Sequence, residues 1–164
     1  MNFAVFCQWL QDTQFGTALR ESQYMFPLVE TAHVLGLAVS VGLILMTDLR
    51  LIGAFMRNEP VSDVMVQLKK WMWSGFGVMF VSGSLLFSAE AAKCYASPTF
   101  RLKILFLLLA GVNALVFETT IGRRVVAWNL LADPPSRAKL AGWASLVCWT
   151  AVILFGRWTA YGMK

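Results

Sequence analysis

Residues 27–47 read PLVETAHVLGLAVSVGLILMT, an apolar run broken by a few hydroxyls, one glutamate and the only histidine of the chain. Whether this run is a buried helix or a membrane span decides the fold. A hydrocarbon layer about 30 Å thick is crossed by roughly 20 helical residues. The composition favours a span: of 164 residues 58% are hydrophobic and only 14% charged, and the mean hydropathy is +0.63. Such a mix lies outside that of ordinary soluble domains. The chain therefore reads as an integral membrane protein of one compact domain, whose chemistry must sit in or at its helices; enzymatic activity is left open.

Working outward, four stretches are long enough to span, near residues 27–47, 71–91, 100–121 and 140–161. Helix is the expected form, because lipid offers no partner for an open sheet edge and no segment alternates like a barrel strand. Pro27 suits a first helical turn. Asp133-Pro134-Pro135-Ser136 reads as a turn, with Ser136 as cap of the last helix. Residues 1–22 differ: Phe3, Phe6, Cys7 and Leu10 recur at helical spacing opposite Asn2, Gln8, Gln11 and Asp12. One amphipathic helix lying on the membrane surface is expected there, ahead of a transmembrane domain over 23–164, and it lacks the basic start of a signal peptide. The fold class is all-α: a four-helix membrane bundle with an interfacial N-terminal helix.

Lys and Arg set the orientation. Arg50, Arg57, Lys69, Lys70, Arg123, Arg124, Arg137 and Lys139 fall on one side, against Arg20, Lys93, Arg101, Lys103, Arg157 and Lys164 on the other. The richer side is expected in the cytoplasm, with both termini periplasmic. The net charge of +5 is explained by basic loops against anionic lipid and calls for no nucleic acid.

With four alternating spans, Glu30, His33, Glu90, Lys103 and Arg157 fall on one outer face. Ionisable residues within a span tend to face a bundle interior and carry function. His33 is the candidate metal ligand. A b-type haem needs an axial imidazole, an apolar slot and cations for its propionates. His33 supplies the first, small residues at Gly36, Ala38, Gly83 and Ser84 open the second, and Lys103, Arg157 and Arg101 supply the third. With one histidine the iron is expected to be five-coordinate, to take a methionine such as Met25 or Met163, or to share His33 with a neighbouring protomer. A rival set of soft ligands, Met25, His33, Cys94 and Met163, suits copper(I). Glu30, Glu90 and Glu118 form a candidate proton relay, with Asn113 expected to bond across helices to Ser82 or Ser84. Asp48, Arg50, Glu118, Arg123 and Arg124 are expected to form ion pairs at the cytoplasmic end. Ala38 and Gly42, with Gly36, are expected to allow close helix packing.

The stretches ETAHVLGLAVSVGLILMTDLRLIG, FRLKILFLLLAGVNALVFE and KLAGWASLVCWTAVILFGRW resemble a family of uncharacterised four-helix bacterial inner-membrane proteins. More distantly, the histidine followed by glycine in the first span and the lysine opening the third are similar to membrane haem and copper proteins of the cytochrome b and copper-resistance D kinds. The resemblance implies a bacterial inner membrane and haem or copper chemistry at His33 and Lys103. The function expected is haem-based electron transfer between quinone and a periplasmic redox partner. The alternatives are a copper or proton-coupled transporter and a cofactor-free subunit of a homo-oligomer or larger complex.

Overall fold

The computed structural model describes residues 2–131 and 133–162, and among them every regular element is helical. Two short helices open the chain, α1 (Phe3–Gln11) and α2 (Gln14–Glu21), followed by α3 (Met25–Ile52), α4 (Val61–Ala89), α5 (Ala91–Ala96) and α6 (Pro98–Thr119). A 3-10 turn at Gly122–Arg124, α7 (Val125–Trp128) and α8 (Ser136–Gly162) complete it. Four helices are long and apolar enough to cross a membrane, making this a multi-pass membrane protein.

The expected N-terminal helix is two helices. The break falls at Asp12-Thr13, where the Thr13 hydroxyl accepts the Gly16 N–H at 3.1 Å and so caps α2. The segment is also more firmly docked than a surface helix need be: Cys7 is fully buried, and the Ala92 N–H reaches Gln11 Oε1 at 3.0 Å. Phe3, Trp9 and Phe15 stay exposed, as suits contact with a bilayer surface.

The spans also run past their apolar cores. α4 begins at Val61, ten residues before the hydropathic run, because a distant segment caps it. Asn129 accepts Val61 N–H on its carbonyl at 3.2 Å and Ser62 N–H on its side chain at 2.8 Å. Ser136 is the first residue of α8 rather than its cap. Helix α3 ends at Gly53, whose φ of 83° is the left-handed conformation that glycine adopts at little cost.

Packing is by small residues. A Cβ at Gly36 would stand 3.1 Å from the Gly75 carbonyl oxygen, and the Ser40 hydroxyl donates to Met72 O at 3.3 Å. The α3–α4 seam is thus Gly36 and Ser40, whereas Ala38 and Gly42 face outward. Helix α8 meets α3 at Gly142, where a Cβ would lie 3.0 Å from Asp48 O. It meets α6 through the stacked rings of Phe106 and Phe155, 5.7 Å apart. Asn113 does bond across helices, but to Ala141 O of α8 at 3.0 Å, not to Ser82 or Ser84. Helices α4 and α6 touch near their ends, through Phe87 and Phe100 at 5.8 Å and through Lys69 and Glu118 at 3.4 Å.

Candidate functional site

Between the α5 end of the bundle and its middle, α3, α4 and α6 each bring a polar side chain to one cluster, and α8 backs it with Gly156. His33 comes from α3. Its ring is half-buried against α4, with Nδ1 3.0 Å from Ser82 Oγ. Ser82 Oγ in turn lies 2.6 Å from Val78 O. A hydroxyl has one proton to give, and the shorter contact, to a carbonyl that can only accept, takes it. Ser82 Oγ therefore accepts from His33 Nδ1–H. This assigns the Nδ1–H tautomer from the hydrogen-bond network, with the lone pair on Nε2; the Met79 backbone is a further hydrogen-bond partner of the ring.

Room for the ring comes from Gly83, where a Cβ would stand 3.1 Å from His33 Cε1. Lys103 of α6 extends along Gly156 of α8, its Cδ and Cε 3.6 Å from where a Cβ would be. Its ammonium is near enough to act electrostatically on both His33 and Cys94. Burial pushes the Cys94 thiol up to about 11, with Lys103 opposing and Glu90 and Cys7 adding to the rise. Cys94 sits on the short α5, outside the spans, and its neighbour Cys7 belongs to α1.

The remaining expected site residues divide. Glu90, at the end of α4, is half-buried; its Oε2 lies 2.9 Å from Lys93 Nζ, within ion-pair distance but off the hydrogen-bond direction. Glu30 is exposed. Arg101 donates twice to Tyr95 O, at 3.1 and 2.9 Å. Arg157 stacks on Tyr161 at 4.6 Å and bonds its hydroxyl at 2.9 Å. Both arginines thus engage local partners at helix ends, and Lys103 is the expected propionate cation that reaches the His33 cluster. Glu118 pairs with Lys69 at the far end of α6, 15 residues from Lys103 or about 22 Å at 1.5 Å per residue. Met25 is exposed, and Met163 lies outside the described residues. Among the described residues no three His, Cys, Asp or Glu side chains gather as metal ligands would. An open cleft of about 880 Å³ at the α5 end is lined by Lys93, Ser97, Thr99, Trp158 and Tyr161, without His33.

Two features were not legible in the sequence. Ser82 gave no sign of being the anchor of His33, because serines are common in helices that pack closely. Asp48 and Arg50 read as an ion pair, yet each is buried on its own: Arg50 donates to Glu59 O at 2.9 Å and Leu131 O at 3.3 Å, and Asp48 takes its hydrogen bond from Ser145. Residues two apart on a helix do not face each other, a rule that the adjacency of opposite charges obscured.

A family model described as a family of unknown function, DUF6644, matches residues 9–162. Comparison with curated proteins and with solved structures finds no match.

Proposed function

Because the chain belongs to the DUF6644 family of unknown function, we propose its role from the site alone: a proton-coupled carrier of a bacterial inner membrane, with periplasmic termini, in which His33 takes up and returns the proton. The observation that carries this reading is the anchored ring. Nδ1–H is committed to Ser82, so the lone pair of Nε2 is the proton acceptor. Lys103 brings an amino group to the same cluster, close enough to act electrostatically on His33. Protonating His33 beside it adds a cation in a medium that screens charge poorly, and an anionic co-substrate offsets that charge. The coupled substrate of this reading is therefore an anion, with Glu90 and Glu30 toward the α5 end as proton entry and Glu118 at the opposite end as exit.

Vesicles containing purified protein and an internal pH dye test this. A proton flux that depends on the added anion and is lost in His33→Gln is expected; equal flux in both proteins overturns the assignment.

The same anchored ring favours a second reading, haem ligation for electron transfer between quinone and a periplasmic redox protein. Ligating histidines usually donate their other N–H to a fixed acceptor. Ring chemistry fits, but the open cleft at the α5 end is lined by Lys93, Ser97, Thr99, Trp158 and Tyr161 and not by His33. A Soret band in the purified protein, lost in His33→Ala, would establish haem in place of the carrier. Copper fits less well, because among the described residues no three His, Cys, Asp or Glu side chains gather as its ligands would. Colourless, metal-free protein without proton flux, co-purifying with other chains, would leave the cofactor-free subunit.

A further inference from the structure

At the opposite end of α3 a second polar group lies buried, and the His33 cluster does not account for it. Asp48 is only 5% exposed, one turn before the end of α3. Its hydrogen bond comes from Ser145 of α8, and its Oδ2 has no hydrogen-bond partner. The backbone beneath it cannot withdraw, because Asp48 O lies against Gly142 of α8, 3.0 Å from where a Cβ would be.

Among the described residues no cation pairs with this carboxyl. Arg50, two residues on, points its guanidinium at the carbonyls of Glu59 and Leu131, in the loops that close this end. Lys69 of α4 is paired with Glu118 of α6, and Lys139 of α8 with Asp133. Asn113 of α6 gives its amide to Ala141 O. A carboxylate without a counter-ion and with a single hydroxyl donor is among the most costly groups to bury, and neutralising it by protonation removes that cost.

We propose that Asp48 and Ser145 form a proton-binding site between α3 and α8, at the α7 end of the bundle. Its ligand is the proton itself: Asp48 is a carboxylic acid when the site is filled, and losing the proton leaves Ser145 holding the carboxylate. This site does not rest on the reading of His33. The two residues are 15 positions apart, or about 22 Å along α3, so each stands or falls by its own test.

Infrared difference spectroscopy of the whole protein in detergent, titrated in H₂O and D₂O, addresses Asp48 directly. A protonated-carboxyl stretching band that follows pH is expected, absent in Asp48→Asn and shifted in frequency but retained in Ser145→Ala. Exposed carboxyls contribute equally to wild type and Asp48→Asn and cancel in the difference. If the two proteins give the same band throughout the titration, Asp48 is ionised in the folded protein and the proposal fails. Asparagine keeps the size of the side chain; should Asp48→Asn not fold, the Ser145→Ala spectrum decides alone, since an unshifted band excludes the pair as the site.

Discussion

The two ends of the bundle hold their polar residues in opposite ways. Around His33 the side chains stand between helices, each given room by a glycine on a neighbour: Gly83 for the imidazole and Gly156 for Lys103. At the α7 end the polar groups are sealed by chain. Arg50 is fully buried and ties two loops to α3, while Asn129 caps α4 from a distance. The first arrangement sets a ring against a hydroxyl between helices; the second spends Arg50 Nε and Nη2 on backbone carbonyls yet leaves Arg50 Nη1 and Asp48 Oδ2 without hydrogen-bond partners. The comparison teaches that this protein meets the burial of polar groups in two ways, with glycine-made space at one end and with backbone carbonyls at the other.

Substitutions can break this contrast, and the largest effect is expected at the sealed end. Arg50→Met strands two carbonyls and removes two charge-assisted hydrogen bonds, so thermal unfolding in detergent should show a loss of roughly 3 kcal/mol or more, with Arg50→Lys recovering part of it. A small loss would mean that the loops close without the staple.

Next comes Cys94, which probes how tightly the α5 end is closed. Its thiol is raised from 9.0 to about 11, so at neutral pH the thiolate should be about 100-fold scarcer than on an exposed cysteine. Alkylation of Cys94, read by mass spectrometry, should be slow by that factor. The linked stability has a definite sign. The folded protein keeps a proton that the unfolded chain has released, so the contribution is complete below pH 9 and drains away as pH rises toward 11.

Gly75→Ala tests the seam that positions α4 against α3. The added carbon meets Gly36 O at 3.1 Å and the Ser40 hydroxyl closer still, and a loss of about 1–3 kcal/mol is expected. Gly77→Ala, with nothing within 4 Å, serves as the silent control on the same helix.

Ser82→Ala should cost less, about 0.6 kcal/mol as is usual for a hydrogen bond between membrane helices. Its informative readout is different. Nitrogen chemical shifts of labelled His33 should report Nδ1–H in the wild type and a mixture of tautomers in the variant; unchanged shifts would remove Ser82 as the anchor. The smallest effect is expected for Lys69→Ala, which breaks an ion pair more than half exposed on both sides and should change stability by less than about 1 kcal/mol.

Much of the fold was legible in the linear chain because lipid imposes one rule throughout: an apolar run of sufficient length must be a helix that satisfies its own backbone. Residues 27–47, 100–121 and 140–161 obey it, and α3, α6 and α8 contain all three runs but for Thr120 and Ile121. The rule fails where another segment does the work, as at the start of α4, where Asn129 caps ten residues that hydropathy alone leaves out. The site was legible only as a gathering at one level. His33, Lys103, Glu90 and Cys94 do come near one end, but Arg101 and Arg157 are occupied by Tyr95 and Tyr161, and Glu30 faces outward.

Sequence by itself determined the solvent of this protein, the number of its long helices and the depth of its few ionisable side chains, since each follows from transfer free energy summed over a short window. Tertiary structure decided the rest: which glycine faces which ring, that Ser82 has no proton left for His33, and that Asp48 and Arg50 turn away from each other. Those outcomes depend on helix rotation and on partners far along the chain, and a hydrogen atom's direction is fixed only when every acceptor around it is in place.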